Sequence, residues 1–238
     1  MNLDVRRLPR TTSTMDVAAK LAAEGAPHGV VIVADEQTAG RGRRGSVWAS
    51  PPGAGLYLSF ISRPSINHLS LLTLAAGVAV REGIERATGL SADLKWPNDL
   101  MLGRRKLAGV LAEGLAVGTP EQAVIVGAGV NLEAASYPPD VAPRATSIGE
   151  ELGRPVDREL VLANILAQLW DRLALLEHQP GDILQAWRSA SPNANGARVD
   201  WDGKSGLTAG IDDSGALLVE TTAGLERIIA GELRWDLS

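Results

Sequence analysis

Residues 39–45 read AGRGRRG, and a tryptophan follows at position 48. The stretch places three arginines among three glycines in a chain of 238 residues whose formal net charge is −5. Glycine permits close backbone approaches that a Cβ atom forbids, and the arginine fork matches the oxygens of carboxylates and phosphates. The stretch is therefore typical of a loop that binds anions.

Taken alone, this loop is equally compatible with a solvated basic surface. Its neighbours favour binding, because the Gln37 amide donates and accepts hydrogen bonds, as ureas and nucleobases require, and Trp48 has a flat face for stacking. In an extended backbone, Arg41 and Arg43 would point to one side and Arg44 to the other. The pattern therefore predicts that Arg41 and Arg43 hold the anion.

Composition limits the class of protein. Hydrophobic residues make up 45% of the chain and charged residues 21%, which suits one large domain or one domain with a small addition. Cysteine is absent, which excludes a thiol nucleophile and a disulfide framework. The sequence shows no signal segment and no membrane span, and its acidity argues against nucleic acid as a partner. We therefore expect a cytoplasmic protein.

The order of apolar patterns predicts a mixed α/β (α+β) fold. Helical spacing indicates helices at about 13–25, 68–88, 157–177 and 181–190. Strand patterns occur at 30–35, 56–62, 92–96, 106–114 and 122–132. After residue 196 come the short β runs ARVDW, SGLTAGID, GALLVET and LERIIAGELRW. The sequence thus predicts a mixed-sheet domain at 1–191 and a small β-barrel at 192–238.

The stretch KWPNDL at 95–100 places Lys95, Asn98 and Asp99 around a proline turn at a strand end, where α/β proteins commonly hold ligands. The alternative is a capped turn in which Lys95 and Asp99 form an ion pair.

Two further stretches carry polar residues beside apolar runs. Lys106 begins KLAGVL, either as a binding cation or as an edge lysine that reaches solvent. GAGVN at 127–131 ends in Asn131, and close backbone packing explains its glycines as well as ligand contact does.

The ordered set STM (13–15), QTAGRGRRG…W (37–48), KWPNDL, KLAGVL and GAGVN resembles the biotin protein ligase family. The likeness continues to GIDDSGALLVE (210–220) and GEL (231–233). It implies an α/β catalytic domain with a C-terminal SH3-like barrel. It also implies that the biotin carboxylate attacks the α-phosphorus of ATP to give biotinyl-5′-adenylate and pyrophosphate. A lysine of a biotin carboxyl carrier domain then attacks this anhydride and releases AMP.

The resemblance implies roles for individual residues. The expected biotin contacts are Ser13, Thr14, Met15, Gln37, Gly40, Arg41, Gly42, Arg43, Lys106 and Gly109. The expected ATP and adenylate contacts are Arg43, Trp48, Lys95, Asn98, Asp99 and Asn131. The residues expected to act in catalysis are Lys106, Arg41, Arg43, Asp99 and Lys95.

Mg²⁺ is expected beside the β- and γ-phosphates of ATP, with Asp99 either holding it or orienting Lys95.

The ST motif begins at Ser13, so no N-terminal DNA-binding domain is expected, and the resemblance implies a monofunctional ligase. The expected partner is a biotin carboxyl carrier protein, with neither DNA nor membrane. Whether the chain forms a homodimer stays open.

Three other functions are weighed against this one. A lipoate ligase of the same superfamily would adenylate another acid, but the pairing of GRGRRG with KWPND favours biotin. A biotin sensor without turnover would have no need of Lys95, Asp99 and Lys106 together. A nucleic-acid binder would need a basic face, for which an acidic chain offers little basis.

Overall fold

The computed structural model describes residues 3–138, 140–231 and 233–236. Its larger sheet has seven strands in the order β1-β2-β3-β7-β6-β5-β4. These are Asp4–Leu8 (β1), Val30–Ala34 (β2), Gly55–Ser62 (β3), Asp93–Lys95 (β4), Asp99–Leu102 (β5), Arg105–Leu115 (β6) and Ala123–Asn131 (β7). β1 is parallel to β2 and the other neighbours are antiparallel, which confirms the predicted mixed-sheet α/β class. The sequence patterns do not predict β1.

The described residues form five α-helices, Thr14–Ala23 (α1), Leu72–Thr88 (α2), Ile148–Leu152 (α3), Arg158–His178 (α4) and Pro180–Ser189 (α5). The Ser13 hydroxyl accepts the Met15 N–H at 3.2 Å and so caps α1, and Gly89 ends α2 with a φ of 81°. The helix predicted from residue 68 begins only at Leu72, after a 3₁₀ helix, and α3 is not predicted. No described helix combines the length and apolar character that a membrane crossing requires.

The central strands are buried on both faces because helices cover each side of the sheet. On one face, Val31 and Val33 of β2 belong to the main core, which includes α2, α4 and α5. On the other face, Val30 and Ile32 pack with α1. Burial on both faces explains why β2 is a continuous apolar run without polar alternation.

The C-terminal sheet is antiparallel, with the order β11-β10-β9-β8-β12. Its strands are Asn195–Trp201 (β8), Lys204–Ile211 (β9), Leu217–Thr221 (β10), Gly224–Ile228 (β11) and Arg234–Asp236 (β12). The predicted closure into a barrel is not confirmed, because β11 and β12 are opposite edges of the described sheet. The predicted final strand is two strands, between which Gly231 has a φ of 148°. Glu232, part of that predicted strand, lies outside the described residues.

The two sheets share one apolar core. The indole Nε1 of Trp96 donates to the carbonyl of Gly215 at 3.0 Å, and Arg188 donates to the carbonyl of Ile211 at 2.9 Å. These contacts hold the C-terminal sheet beside the turn between β4 and β5 and beside α5. The division of the chain after residue 191 into two domains stays a prediction.

Candidate active site

A cavity of about 620 Å³ opens where α1, the Arg/Gly loop (residues 40–48), the β4–β5 turn and strands β6 and β7 meet. It is lined by the predicted site residues Ser13, Thr14, Met15, Gln37, Arg41, Gly42, Arg43, Trp48, Lys95, Asn98, Asp99, Lys106 and Gly109. Gly40 lines an adjoining groove, and Asn131 lines a second cavity of about 490 Å³. The fold thus brings together stretches that are far apart in the sequence.

The lining of the first cavity has a large excess of positive charge. Its described residues include one carboxylate, Asp99, and six cationic side chains, namely Arg41, Arg43, Arg44, Lys95, Lys106 and Arg144. Sequence reasoning missed Arg144, because its surroundings, VAPRAT, have no spacing that indicates a site. In a chain with a net charge of −5, this concentration of cations favours an anionic ligand.

Lys106 and Asp99 form an ion pair at this site, with 2.6 Å between Nζ and Oδ1. The Lys106 ammonium also lies 5.3 Å from the centroid of the Trp48 ring. Asp99 therefore pairs with Lys106, although the turn sequence suggested Lys95. Burial lowers the pKa of Lys95. The charge of Asp99 opposes this shift, and the charge of Lys106 reinforces it.

The backbone of the Arg/Gly loop turns, whereas the prediction for its three arginines assumed an extended backbone. Residues Arg43–Gly45 form a 3₁₀ helix, and Arg44 has a left-handed backbone with φ 53° and ψ 34°. All three arginines line the cavity. The extended backbone that was assumed for the loop is therefore wrong, whereas the solvent-facing role of Arg44, which is exposed, stays a prediction.

Arg41 and Arg43 have different partners. The Arg41 guanidinium donates to Asp16 at 2.8 Å and to Glu113 at 2.6 Å, whereas Arg43 Nη1 donates to Asn98 Oδ1 at 3.3 Å. Burial lowers the pKa of Arg43, with Asp99 opposing the shift, but a guanidinium keeps its charge at neutral pH. Arg43 thus retains most of its donors for a ligand, while Arg41 is held between two carboxylates.

Hydrogen bonds connect the polar groups at the start of α1. The Ser59 hydroxyl donates to Thr14 Oγ1 at 2.8 Å. The Thr14 N–H and hydroxyl donate to Gln37 Oε1 at 2.8 and 3.1 Å, and Gln37 Nε2 donates to Ser50 Oγ at 2.8 Å. This network fixes the orientation of the Gln37 amide at the cavity wall. Sequence reasoning found Thr14 and Gln37 but not the two serines that hold them.

Glycines of β7 let two side chains lie directly on the sheet. A Cβ on Gly129 would stand 2.5 Å from Trp48 Nε1, and a Cβ on Gly127 would stand 2.5 Å from Met15 Sδ. The packing explanation of GAGVN therefore holds at both glycines. The buried Nε1 of Trp48 has no hydrogen-bond partner among the described residues, so the indole keeps a donor available.

Gly40 acts through the loop backbone and does not line the first cavity. Its carbonyl accepts the Trp48 N–H at 2.9 Å, and a Cβ at this position would stand 2.4 Å from the carbonyl oxygen of Trp48. The glycine therefore permits the close pairing that closes the base of the loop.

The second cavity shares several residues with the first, namely Val47, Trp48, Lys95, Asp99, Lys106, Val141, Arg144 and Trp235. Asn131 Nδ2 donates to the carbonyls of Thr146 and Lys106 at 3.0 and 3.3 Å, and so supports the backbone that carries Lys106. Sequence reasoning did not identify Arg104 and Tyr137, which also line this cavity.

Comparison with known proteins identifies the family. The family model described as the biotin/lipoate A/B protein ligase family matches residues 7–131, just over half of the chain. The chain belongs to this family. A model of the biotin protein ligase C-terminal domain also matches residues 202–233.

The relatives of this ligase family member include named biotin ligases. The biotin–[acetyl-CoA-carboxylase] ligase of Paracoccus denitrificans is 38% identical over 95% of this chain and 98% of that protein. A bifunctional ligase/repressor of Bacillus spizizenii is 37% identical over 93% of this chain and 71% of that protein. The Aquifex aeolicus biotin protein ligase, solved with biotin and ATP, matches with a TM-score of 0.85 and 30% identity over 99% of both chains. The resemblance and the enzyme class inferred from the sequence are confirmed.

Proposed function

We propose that this ligase forms biotinyl-5′-adenylate from biotin and MgATP and then transfers biotin to a lysine of a carboxylase's biotin carboxyl carrier domain. Lys95, Lys106 and Arg144 line both cavities, and this cationic junction is the observation that carries the proposal. Two anionic substrates in neighbouring cavities would bring their charged ends together at these three side chains.

The first step must bring a carboxylate up to a polyphosphate of the same sign. At about 4 Å, two unit charges repel by roughly 4 kcal/mol at an effective dielectric constant near 20. Fixed cations offset this repulsion without reorganising. A carboxylate oxygen attacks the α-phosphorus, the bond to the bridging oxygen breaks, and pyrophosphate leaves with that electron pair. We assign Lys106 and Arg43 to the carboxylate and α-phosphate oxygens.

In the second step, the neutral amine of the carrier lysine attacks the acyl carbon of the adenylate. AMP leaves with the electron pair of the broken bond, and the new amide nitrogen loses its extra proton to the AMP phosphate or to solvent. An unperturbed lysine has a pKa of about 10.4, so the amine must first lose a proton. Asp99 is the carboxylate that lines both cavities, and we assign it the role of proton acceptor.

The two cavities suit different ends of the intermediate. The first has amide and hydroxyl groups for a ureido ring, and we assign it to biotin with Ser13, Thr14, Met15, Gln37 and Gly109. The second has the Trp48 indole and Asn131 on its wall, and we assign it to the nucleotide, with Asn98 of the first cavity as a further contact. We assign Mg²⁺ to the β- and γ-phosphates of ATP, so that it enters as MgATP.

Mass spectrometry of a carrier domain incubated with this protein, biotin and MgATP tests the proposal. We expect one biotinyl group on a single carrier lysine, and pyrophosphate exchange with biotin but not with lipoate. Exchange that requires lipoate would establish the lipoate ligase alternative. Biotin binding without exchange or carrier labelling would indicate a sensor. Cytoplasmic location stays a prediction, and whether the chain forms a homodimer stays open.

A further inference from the structure

Arg41, at the start of the Arg/Gly loop, is bound by carboxylates from two other elements. Its Nη1 donates to Asp16 Oδ1 of α1 at 2.8 Å. Its Nη2 donates to both carboxylate oxygens of Glu113 on β6, at 2.6 and 2.8 Å. One cation between two carboxylates leaves a local net negative charge. A guanidinium held in this way does not supply the additional positive charge that an anion site needs.

The same contacts connect the loop to both walls of the cavity. Asp16 lies in the first turn of α1, directly after the STM stretch, and Glu113 lies on the strand that carries Lys106. Arg41 forms a backbone bridge with Val47 across the loop. Fixing its side chain therefore fixes both arms of the loop and the position at which Trp48 enters.

Exposed ion pairs contribute little when they are isolated, but bidentate geometry and networks are the exceptions. Arg41 meets the second condition, since it contacts two carboxylates, and its Nη2 contacts both oxygens of one of them. Arg43, by comparison, connects the loop to the β4–β5 turn through one longer hydrogen bond of 3.3 Å to Asn98.

We infer that Arg41, Asp16 and Glu113 form an anchor that positions the loop of residues 40–48 over the cavity. Arg41 is then a positioning residue and not a ligand of the substrate anions, which replaces the role assigned to it from the sequence. The consequences for activity rest on the proposed function, whereas the consequences for loop mobility do not.

The substitution Glu113→Gln removes one charge of the anchor and keeps the side-chain shape. Loss of a network contact predicts about fivefold faster amide exchange in residues 40–48, and biotin KM in pyrophosphate exchange should rise by about the same factor. kcat should stay within about twofold, because Lys106 and Arg43 are untouched. The control Glu159→Gln breaks a bidentate surface pair with Arg7, at 2.9 and 2.5 Å, and should change neither quantity.

If Arg41 bound the substrate carboxylate directly, Glu113→Gln would release it for binding, and biotin KM would fall. A lower KM, or unchanged loop exchange, would overturn the anchor. The exchange measurement uses the protein without substrates, so it decides the question even if the protein makes no biotinyl-adenylate. A protein that makes no biotinyl-adenylate would refute the proposed function, and the anchor would then be judged on amide exchange alone.

A charge exchange gives an independent test. Arg41→Glu alone places three carboxylates together and should speed amide exchange of the loop more than Glu113→Gln does. Adding Glu113→Arg restores a cation to the cluster and should return loop exchange and biotin KM to within about twofold of wild type, as expected for interacting sites. If the biotin KM of the double variant were no lower than that of Arg41→Glu, position 41 would need a cation for the ligand.

Discussion

The ammonium of Lys106 lies 2.6 Å from a carboxylate oxygen of Asp99. Their strands are antiparallel neighbours with a register shift between Leu100 and Met101, so the sheet itself brings the two groups together. Among the described residues that line both cavities, Asp99 is the single carboxylate, and Lys106 is the cation with which it forms an ion pair. In the proposed reaction, the substrate anions and Asp99 would therefore share one cation.

Lys106→Ala removes that cation. Pyrophosphate exchange should fall at least about hundredfold, the cost of losing one preorganised electrostatic contact at a reacting centre. The matched control is Lys204→Ala in the C-terminal sheet, which breaks a 2.7 Å pair with Glu226 and should leave exchange unchanged. Near-normal exchange in Lys106→Ala would refute the assignment of Lys106.

Substrates should protect the Arg/Gly loop from amide exchange. Residues 40–48 are mostly exposed, and residues 41–44 and 46–48 line the first cavity, so a bound adenylate would add contacts that the loop otherwise lacks. We expect hydrogen exchange in this segment to slow with biotin and MgATP, compared with the protein alone. Equal exchange in both states would contradict a loop that covers the intermediate.

Arg43 and Arg44 should differ in how they retain the adenylate. Arg43 is partly buried beside Asn98, whereas Arg44 is exposed. Arg43→Ala removes a charge-assisted contact worth about 1.5–3 kcal/mol, so the adenylate should escape at least about tenfold faster. Mass spectrometry should then find biotin on lysines of bystander albumin. Arg44→Ala should label the carrier domain alone, and equal bystander labelling by both variants would refute the distinction.

Two glycines of α2 should respond oppositely to alanine. A Cβ on Gly83 would stand 2.5 Å from the Ile165 Cα of α4, so Gly83→Ala should lower the free energy of unfolding by about 1–3 kcal/mol. At Gly77 the nearest group is Leu94 Cδ2 at 3.6 Å, an ordinary contact, so Gly77→Ala should gain up to about 1 kcal/mol of helix propensity. Urea unfolding checks both. Comparable stability in the two variants would contradict the close helix contact.

His28 should make stability fall in acid. Burial lowers its pKa, with Glu177 opposing the shift, while the imidazole packs edge-on against Phe60. Below the ordinary pKa of about 6.5, the unfolded chain binds the proton that the folded protein resists. The free energy of unfolding therefore decreases as the pH drops from about 6.5, the ordinary pKa of histidine, towards the lowered pKa of His28 in the folded protein.

His28→Phe should remove this part of the pH dependence. Urea unfolding at about pH 7.5 and about pH 5.5 should show a smaller difference in the variant than in the wild type. The comparison is between the two differences, so a constant packing effect of phenylalanine cancels. The same difference in both proteins would show that His28 is not the group responsible.

Much of this protein follows from its sequence alone. Ser13 caps α1 and Gly89 ends α2 because capping depends on residues within one turn. The apolar run of β2 indicates a strand buried on both faces, as found. The arginine and glycine pattern indicates an anion site, and the ordered motifs indicate the ligase family, since both depend on residue type and order.

Only the tertiary structure decided which charges meet. Asp99 pairs with Lys106 because a register shift between β5 and β6 sets their distance, although Lys95 is nearer in sequence. Arg41 meets Asp16 and Glu113, which lie 25 and 72 positions away along the chain. The Coulomb energy of a charge depends on its distance from other charges in space, which spacing along the sequence does not contain. The residue types therefore indicate an anion site, and the fold determines which cations are left to bind the anion.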